Sequence, residues 1–462
     1  MVGFSVSIAL FMHLADTAAM ATALPILAEE LDSNPLKLKL LLTSYLFISA
    51  IFIPVSGWVA DRWGARRIYI AALLLFLFSS SLCAFSNSFE QLLAARVLQG
   101  VAAGIMVPVS RIIVLACAER ADLVRALNWY AIPAIVGPMI GPTVAGLMLE
   151  YASWRWIFAI NIPIGIAGLL LVIFFVPVFR LPNPGDFDFS GALLAALSIL
   201  GIMILADSLG LSILSGYQLG FLAIASTFIT MIAIHHFRKI ANPMLPLSLF
   251  KVSTYRASVV GGGLLILGMG ATTFMLPLML QTVFGWSALS SGLVLLWGAF
   301  GAILGRFASL IAIKKLGFRK LTAIFAGISA ITATFPAFYQ ITTPVFLIFG
   351  LTMLNGLLRT THFAAANALA FAEVAEVDNS RASTLMTVTK LLAQSLGISF
   401  AALMVFLSSD GSGSAITVDT FFLPFLAIGF LGLMAVPSYL FLPRNAGSEM
   451  RMLNTTEIDR NV

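Results

Sequence analysis

The sequence predicts an all-α integral membrane protein of 14 transmembrane helices, built as two six-helix pseudo-symmetric bundles plus two inserted helices. Three observations predict it. The 462 residues are 60% hydrophobic and only 10% charged, with a mean hydropathy of +1.02, whereas an average soluble protein carries about 25% charged residues. Apolar stretches of about 20 residues recur along the whole chain, each long enough to cross the hydrocarbon core as a helix. Polar, proline-bearing breaks at Pro177–Gly191 and His235–Arg256 divide these stretches into six, two and six.

In order, the predicted spans lie near 5–28, 38–58, 68–86, 91–113, 128–149, 156–178, 190–208, 218–237, 258–281, 288–312, 320–340, 344–370, 383–407 and 420–442. The chain contains 36 Gly and 19 Pro, many inside these stretches, where membrane helices tolerate them because neighbouring groups satisfy the freed backbone. The seventh and eighth spans meet in a Gly- and Ser-rich junction from Ser208 to Gly220. The implied domains are 1–180, an insertion and linker at 181–250, 251–443, and a short polar tail at 444–462. Two six-helix halves of this kind place a transport site near the bilayer midplane, between repeats.

Orientation follows from basic residues in the short loops. Twenty of the 26 Lys and Arg fall on the side of both termini, while Lys37, Lys39 and Arg155 lie opposite and Arg96, Arg306 and Arg359 fall inside spans. Both termini are therefore expected in the cytoplasm, with the chain in the cell (inner) membrane. No removable signal peptide is expected, because the first apolar stretch runs on to Pro25. The formal charge of +6 is spread over loops and is no nucleic-acid signal. The only cysteines, Cys83 and Cys117, fall in or near spans, so neither a disulfide framework nor a metal site is expected. No nucleophile–base spacing indicates an enzyme, and no cofactor is called for beyond an ion gradient as energy source.

Asp16 lies about a dozen residues into the first span. A carboxyl at that depth is costly in hydrocarbon, so it is expected to face a protein interior or a wet cavity and to be functional. His13, one turn earlier, shares its helical face. Arg96 in the fourth span needs a partner for the same reason, and Asp16 is the nearest candidate by topology; the alternative is an arginine snorkelling to the outer surface. Asp16, Arg96 and His13 are the candidate proton-coupling residues, and Gln99 is a candidate cavity residue.

Several motifs carry a family resemblance. The loop Gly57-Trp58-Val59-Ala60-Asp61-Arg62-Trp63-Gly64-Ala65-Arg66-Arg67 closely resembles the signature loop of the major facilitator superfamily. The resemblance implies a gating latch formed by Gly57, Asp61, Arg62, Gly64, Arg66 and Arg67, with Gly57 allowing close helix packing; a plain basic loop is the alternative. Ala65 stands where a basic residue is usual. Arg96-Val97-Leu98-Gln99-Gly100 looks like the superfamily's Arg-x-x-Gln-Gly motif. Gly137-Pro138 and Gly141-Pro142 resemble the steps that mark antiporters, with Pro133 in place of a glycine. Trp154-Arg155-Trp156 through Gly165, the Asp16 segment ending Ala23-Leu24-Pro25, Phe187–Gly191, Leu276–Gln281 and Ser287–Gly292 resemble the fourteen-helix drug:proton antiporter branch, with Ala21 replacing a common Asn. The resemblance covers about 15–440, and it implies multidrug efflux of small molecules in exchange for protons.

In the second half Asn355, Arg359 and His362 fall on one helical stripe, and Arg306 lies in the tenth span. These four are further cavity candidates, with snorkelling or interhelical hydrogen bonding as the alternative for the arginines. With no acid mid-span in that half, the expected substrate is a neutral, zwitterionic or anionic amphiphile. Asp207 reads as a solvated cap, and His235-His236 as a basic, lipid-facing edge. Two other functions remain open at this point: dedicated export of an endogenous anionic metabolite such as a carboxylate siderophore, and a non-transporting sensor or scaffold. A monomer is expected, and a membrane-fusion or outer-membrane export partner stays open.

Overall fold

A computed structural model describes residues 2–117, 123–178, 187–209, 214–240, 243–375, 378–409, 416–443 and 446–447. Arg120, the break at 180–186, Glu376, and the tail positions Arg444, Arg451 and Arg460 lie outside the described residues, as does the side chain of Arg125. The described secondary structure is helical throughout, as expected where lipid offers the backbone no hydrogen-bond partners. Twelve stretches among the described residues are long and apolar enough to cross a membrane. The chain divides into two compact units, Met1–His236 with Ala241–Met244 and Leu280–Leu293, and Phe237–Ile240 with Leu245–Met279 and Val294–Val462.

The first unit holds α1 (Val2–Glu30), α2 (Pro35–Leu38), α3 (Leu40–Trp63), α4 (Ala65–Phe85), α5 (Phe89–Cys117), α6 (Leu123–Tyr151), α7 (Arg155–Ala159), α8 (Asn161–Phe175), α9 (Phe189–Ser208) and α10 (Gly216–Lys239). Local chemistry sets the breaks. Asn34 caps α2 by accepting from Leu36 N at 2.7 Å, ahead of Pro35. Gly64 ends α3 at φ 92°, a region that favours glycine, and its N–H closes on Ala60 O at 2.9 Å. Asp188 caps α9, accepting from Gly191 N at 2.8 Å. Helix α9, and α10 as far as His236, group with the first unit, with α9 packed on α3.

The second unit follows with α11 (Ser253–Thr282), α12 (Ala288–Thr332), α13 (Val345–Phe371), α14 (Asn379–Ser408), α15 (Phe422–Leu433) and α16 (Val436–Leu440). The ends of α11 and α12, within Leu280–Leu293, group with the first unit. The tenth and eleventh predicted spans are two helices within α12 that meet in a tight break at Gly317, whose φ 71° and ψ 165° are not helical. The connection is shorter than expected, since Lys314 and Lys315 belong to the helix that precedes the break. Phe318, Leu321, Ala326, Ala365, Leu369 and Tyr439 form the centre of this unit's buried core. A Cβ on Gly301 would run into the Met353 carbonyl, and one on Gly356 into that of Gly298, so α12 and α13 touch backbone to backbone.

Candidate functional site

Four helices of the first unit converge on Asp16. α1 supplies Asp16 and His13, α3 supplies Leu41 and Tyr45, α4 supplies Ser80 and Cys83, and α5 supplies Arg96 and Gln99; all eight are buried. Arg96 Nη1 donates to Asp16 Oδ2 at 2.5 Å and to Gln99 Oε1 at 2.6 Å, and Arg96 Nε donates to the Leu41 carbonyl at 3.0 Å. Gln99 Nε2 donates to Ser80 Oγ at 2.9 Å and reaches Asp16 Oδ1 at 3.4 Å. The guanidinium lies 4.3 Å from the centre of the Tyr45 ring, and the Tyr45 hydroxyl is 2.5 Å from His13 Nδ1. Cys83 Sγ sits 3.9 Å from Gln99 Oε1.

Arg96 is 0% exposed, so it does not snorkel. Its charge is compensated inside the bundle by one carboxylate, one amide oxygen and one backbone carbonyl, as an intramembrane cation requires. One guanidinium nitrogen, Nη2, is buried without a hydrogen-bond partner among the described residues. Removing the negative charge on Asp16 leaves Arg96 held by neutral acceptors alone.

The helix bearing Asp16 is seated on α6 through the Gly-Pro steps. A Cβ at Gly141 would lie 2.7 Å from the Ala15 carbonyl oxygen and 3.2 Å from Ala15 Cα, and one at Gly137 would lie 3.0 Å from Phe11 O and 3.2 Å from Ala15 N. The two glycines thus let α6 touch the backbone of α1 at the residue beside Asp16. Pro138 and Pro142 follow them inside α6, and the Pro142 carbonyl abuts Gly292 in the same unit.

The profile of the Major Facilitator Superfamily matches residues 6–254. The chain belongs to the Major Facilitator Superfamily. The relatives that bear the name multidrug resistance protein MdtD, from Cronobacter sakazakii and Escherichia coli, are each 31% identical to it, over 444 and 440 residues; both alignments cover 94% of this chain and 93% of the relative. Among solved structures, a peptide transporter POT in complex with sulfate matches with TM-score 0.70 and 15% identity, covering 97% of this chain and 95% of that one. A POT family transporter in complex with a thioalcohol-conjugated peptide matches with TM-score 0.71 and 14% identity, covering 95% and 94%. At that identity the likeness is one of fold. Membership in this superfamily makes the chain a multi-pass membrane transporter, not an enzyme.

The superfamily's signature loop is placed as follows. Arg66 Nη2 donates to the Ile173 carbonyl at 2.7 Å, tying the start of α4 to the end of α8. Arg62 and Arg67 are exposed, and Asp61 is half-buried with no ion pair among the described residues. Gly57 departs from expectation: a Cβ there meets nothing within 4 Å, so it does not serve close packing in the described structure. Arg155 of the Trp-Arg-Trp stretch donates to Ser86 O and Asn87 Oδ1, both at 3.2 Å, and lies 4.5 Å from the Trp154 ring centre, pinning the α4–α5 turn. In the Leu276–Gln281 stretch, Gln281 Nε2 donates to the Thr22 carbonyl of α1 at 3.0 Å.

The second-half candidates separate. Arg359 and Asn355 line one cavity of about 20 Å³ together with Thr272 and Ser329, and Asn355 Nδ2 donates to Thr332 Oγ1 at 2.8 Å. Arg306 is exposed on α12. His362 is not a cavity residue: it is 0% exposed, with Nδ1 donating to the Thr322 carbonyl at 3.1 Å and Nε2 accepting from the Tyr439 hydroxyl at 3.2 Å. The shared helical stripe meets a cavity at the level of Arg359 and closed core one turn further on.

Two other expectations are corrected. Asp207 is no solvated cap. It is 2% exposed, accepts from Thr43 Oγ1 at 2.8 Å, and lies 3.4 Å from Nζ of Lys39, which is 0% exposed. His236 is not merely a lipid-facing base, since its Nε2 donates to Asp188 Oδ1 at 2.8 Å; His235 is exposed. Sequence reasoning missed Tyr45, Ser80, Cys83, Lys39 and Asp207 as interior polar groups. One signal was present: Lys39 is one of only three basic residues in the loops expected opposite the termini.

Proposed function

We propose that the protein is a proton-coupled multidrug efflux antiporter of the inner membrane, with both termini cytoplasmic, working by alternating access. The observation that carries this reading is the buried Arg96–Asp16 pair bridged by Gln99. An outside proton that reaches Asp16 removes its charge and releases Arg96, while export runs with the pair re-formed. Because α6 touches α1 at Ala15, a change of pairing at Asp16 acts directly on the Gly-Pro helix. The relatives named multidrug resistance protein support the efflux direction. Arg359, with no ion pair among the described residues, favours substrates that are neutral, zwitterionic or anionic over dications. Fourteen crossings follow if Ala288–Phe338 counts twice for its break at Gly317 and α13 is added to the twelve apolar stretches. The transporter acts as a monomer, powered by the proton gradient without a cofactor.

The test uses proteoliposomes holding a pH-sensitive dye under an imposed proton gradient. Cationic, neutral and anionic amphiphiles are added to wild type and Asp16→Asn. Substrate-evoked proton flux in wild type and none in the variant is the expected result. Normal coupled transport by Asp16→Asn would overturn the coupling assignment, and the absence of flux with every compound would overturn the antiport reading.

A further inference from the structure

Lys39 and Asp207 form a second buried ion pair, and the mechanism above does not use it. It joins the first turn of α3 to α9, the first inserted helix. Lys39 lies where α2 gives way to α3, and its Nζ is 3.4 Å from Asp207 Oδ1. One turn along α3, Thr43 donates to the other oxygen, Oδ2, at 2.8 Å. The carboxylate of Asp207 is therefore gripped from both ends of the turn 39–43. Leu41 sits inside that turn, and its carbonyl accepts from Arg96 Nε at 3.0 Å.

We infer that Lys39 and Asp207 are positioning residues for the proton-coupling pair: by clamping the turn 39–43, the inserted helix fixes the Leu41 carbonyl that aims Arg96 at Asp16. The inference rests on Asp16–Arg96 being the coupling site. It gives the inserted α9 a task within the transport cycle. The physical case is one of cost. Two fully desolvated ions are an inefficient way to stabilise a helix contact, since apolar residues of similar volume do as well or better. What an ion pair supplies and an apolar contact does not is a fixed direction and register. Arg96 has three acceptors: the Asp16 carboxylate, the Gln99 amide and the Leu41 carbonyl. Only the Leu41 carbonyl keeps the same charge and the same identity when Asp16 takes a proton and stays on a helix other than α1 and α5. It is the reference point against which the guanidinium swings.

The titratable groups facing the Asp16–Arg96 pair are His13 on α1, Tyr45 on α3 and Cys83 on α4, and the substitutions below touch none of them. The test is the double variant Lys39→Met/Asp207→Leu, which removes both charges and strands neither. Reconstituted in proteoliposomes, it is assayed for substrate-evoked proton flux across external pH, and separately for substrate binding in detergent. With the Leu41 carbonyl loosened, Arg96 holds the Asp16 carboxylate less well and protonation becomes easier. The pH profile should move by about one unit toward alkaline, the worth of one hydrogen bond to a charged group, with substrate affinity unchanged. A folded double variant whose flux is merely scaled at every pH, with the midpoint in place, would show a structural role only and overturn the inference. Should the double variant fail to reach the membrane, Asp207→Asn keeps the size and the Thr43 contact while weakening the clamp. A midpoint displaced toward alkaline there supports the inference, because the Lys39 charge left without its carboxylate would by itself move it toward acid; a wild-type or acid-shifted profile overturns it. If wild type and Asp16→Asn show the same coupling, the site assignment has failed instead, which these two readouts tell apart.

Discussion

The Arg96–Asp16 pair makes a prediction that does not depend on transport. Arg96 is 0% and Asp16 3% exposed, so neither charge can be left to water. Breaking a buried pair by removing one partner costs about 3–5 kcal/mol, because the survivor is uncompensated. The two single variants should not be equal. Asp16→Asn leaves Arg96 with Gln99 Oε1 at 2.6 Å and Leu41 O at 3.0 Å. Arg96→Met leaves Asp16 with only the Gln99 amide at 3.4 Å, and it also empties the space over the Tyr45 ring. Arg96→Met therefore falls at the upper end of that range and Asp16→Asn at the lower. The double Asp16→Asn/Arg96→Met strands no charge and should lie within about 2 kcal/mol of wild type. The two single effects, about 3 and about 5 kcal/mol, thus together exceed the double by about 6 kcal/mol, beyond the usual range for contacting residues because each single variant strands a buried charge. Thermal unfolding of the four purified proteins in one detergent gives the ranking directly: wild type and double variant highest, then Asp16→Asn, then Arg96→Met. A double variant less stable than either single, by the sum of their effects, would mean that the two side chains do not pair.

Two further predictions follow from local contacts. Gly141→Val places a Cβ 2.7 Å from the Ala15 carbonyl, a backbone atom that cannot swing aside; it should lower stability by about 1–3 kcal/mol and depress proton flux, whereas Gly220→Val, with nothing within 4 Å, should leave both unchanged in the same unfolding and flux assays. Asp188→Ala removes the cap of α9 and should cost about 1 kcal/mol. Burial pushes the Asp188 carboxyl up, but hydrogen bonds from His236, Gly191 N and Met244 N and the His236 charge together hold it below its ordinary 3.8. Its contribution is therefore full above that value and lost as the pH falls through the lower folded one. The stability gap between wild type and Asp188→Ala should hold above about pH 4 and close below it; a gap that widens on acidification would refute the argument.

The membrane made the fold legible. A lipid solvent requires every spanning backbone to satisfy itself, so apolar length alone located the helices to within several residues. Between the tenth and eleventh spans the connection is shorter than the basic residues suggested: the helix runs on to a break at Gly317. Charges in spans were legible for the same reason, since depth is costly for any of them. Which neighbour compensates the charge was not legible. Arg96, Arg359 and Arg306 give equal signals in the sequence, yet the first is paired and fully buried, the second lines a cavity of about 20 Å³, and the third is exposed. Tyr45, Ser80 and Cys83 left no mark, because uncharged polar side chains in apolar helices carry little depth penalty. Lys39 and Asp207 were misread because linear position gives depth along a helix but not the lateral contact with α9 that hides both.

The first unit also explains why the acid sits on α1 and not on a neighbour. A carboxyl that must exchange a proton needs a partner it can lose and a scaffold that does not collapse when it does. α3 and α5 provide the scaffold: Ser49 Oγ of α3 donates to the Gly100 carbonyl of α5 at 3.1 Å, and Cβ positions at Gly100 and Gly104 would press on the backbone of Tyr45 and Ser49. Those two helices are locked backbone to backbone irrespective of the charge on Asp16, and they carry Arg96, Gln99, Leu41 and Tyr45. α1 is held from the other side by α6, through the glycines at 137 and 141. The carboxyl therefore lies on the boundary between two locked pairs, α3 with α5 and α1 with α6, and the charge pair is a contact across that boundary. On the coupling role proposed above, a proton on Asp16 would weaken this contact while the glycine-mediated backbone contacts within each pair stay in place.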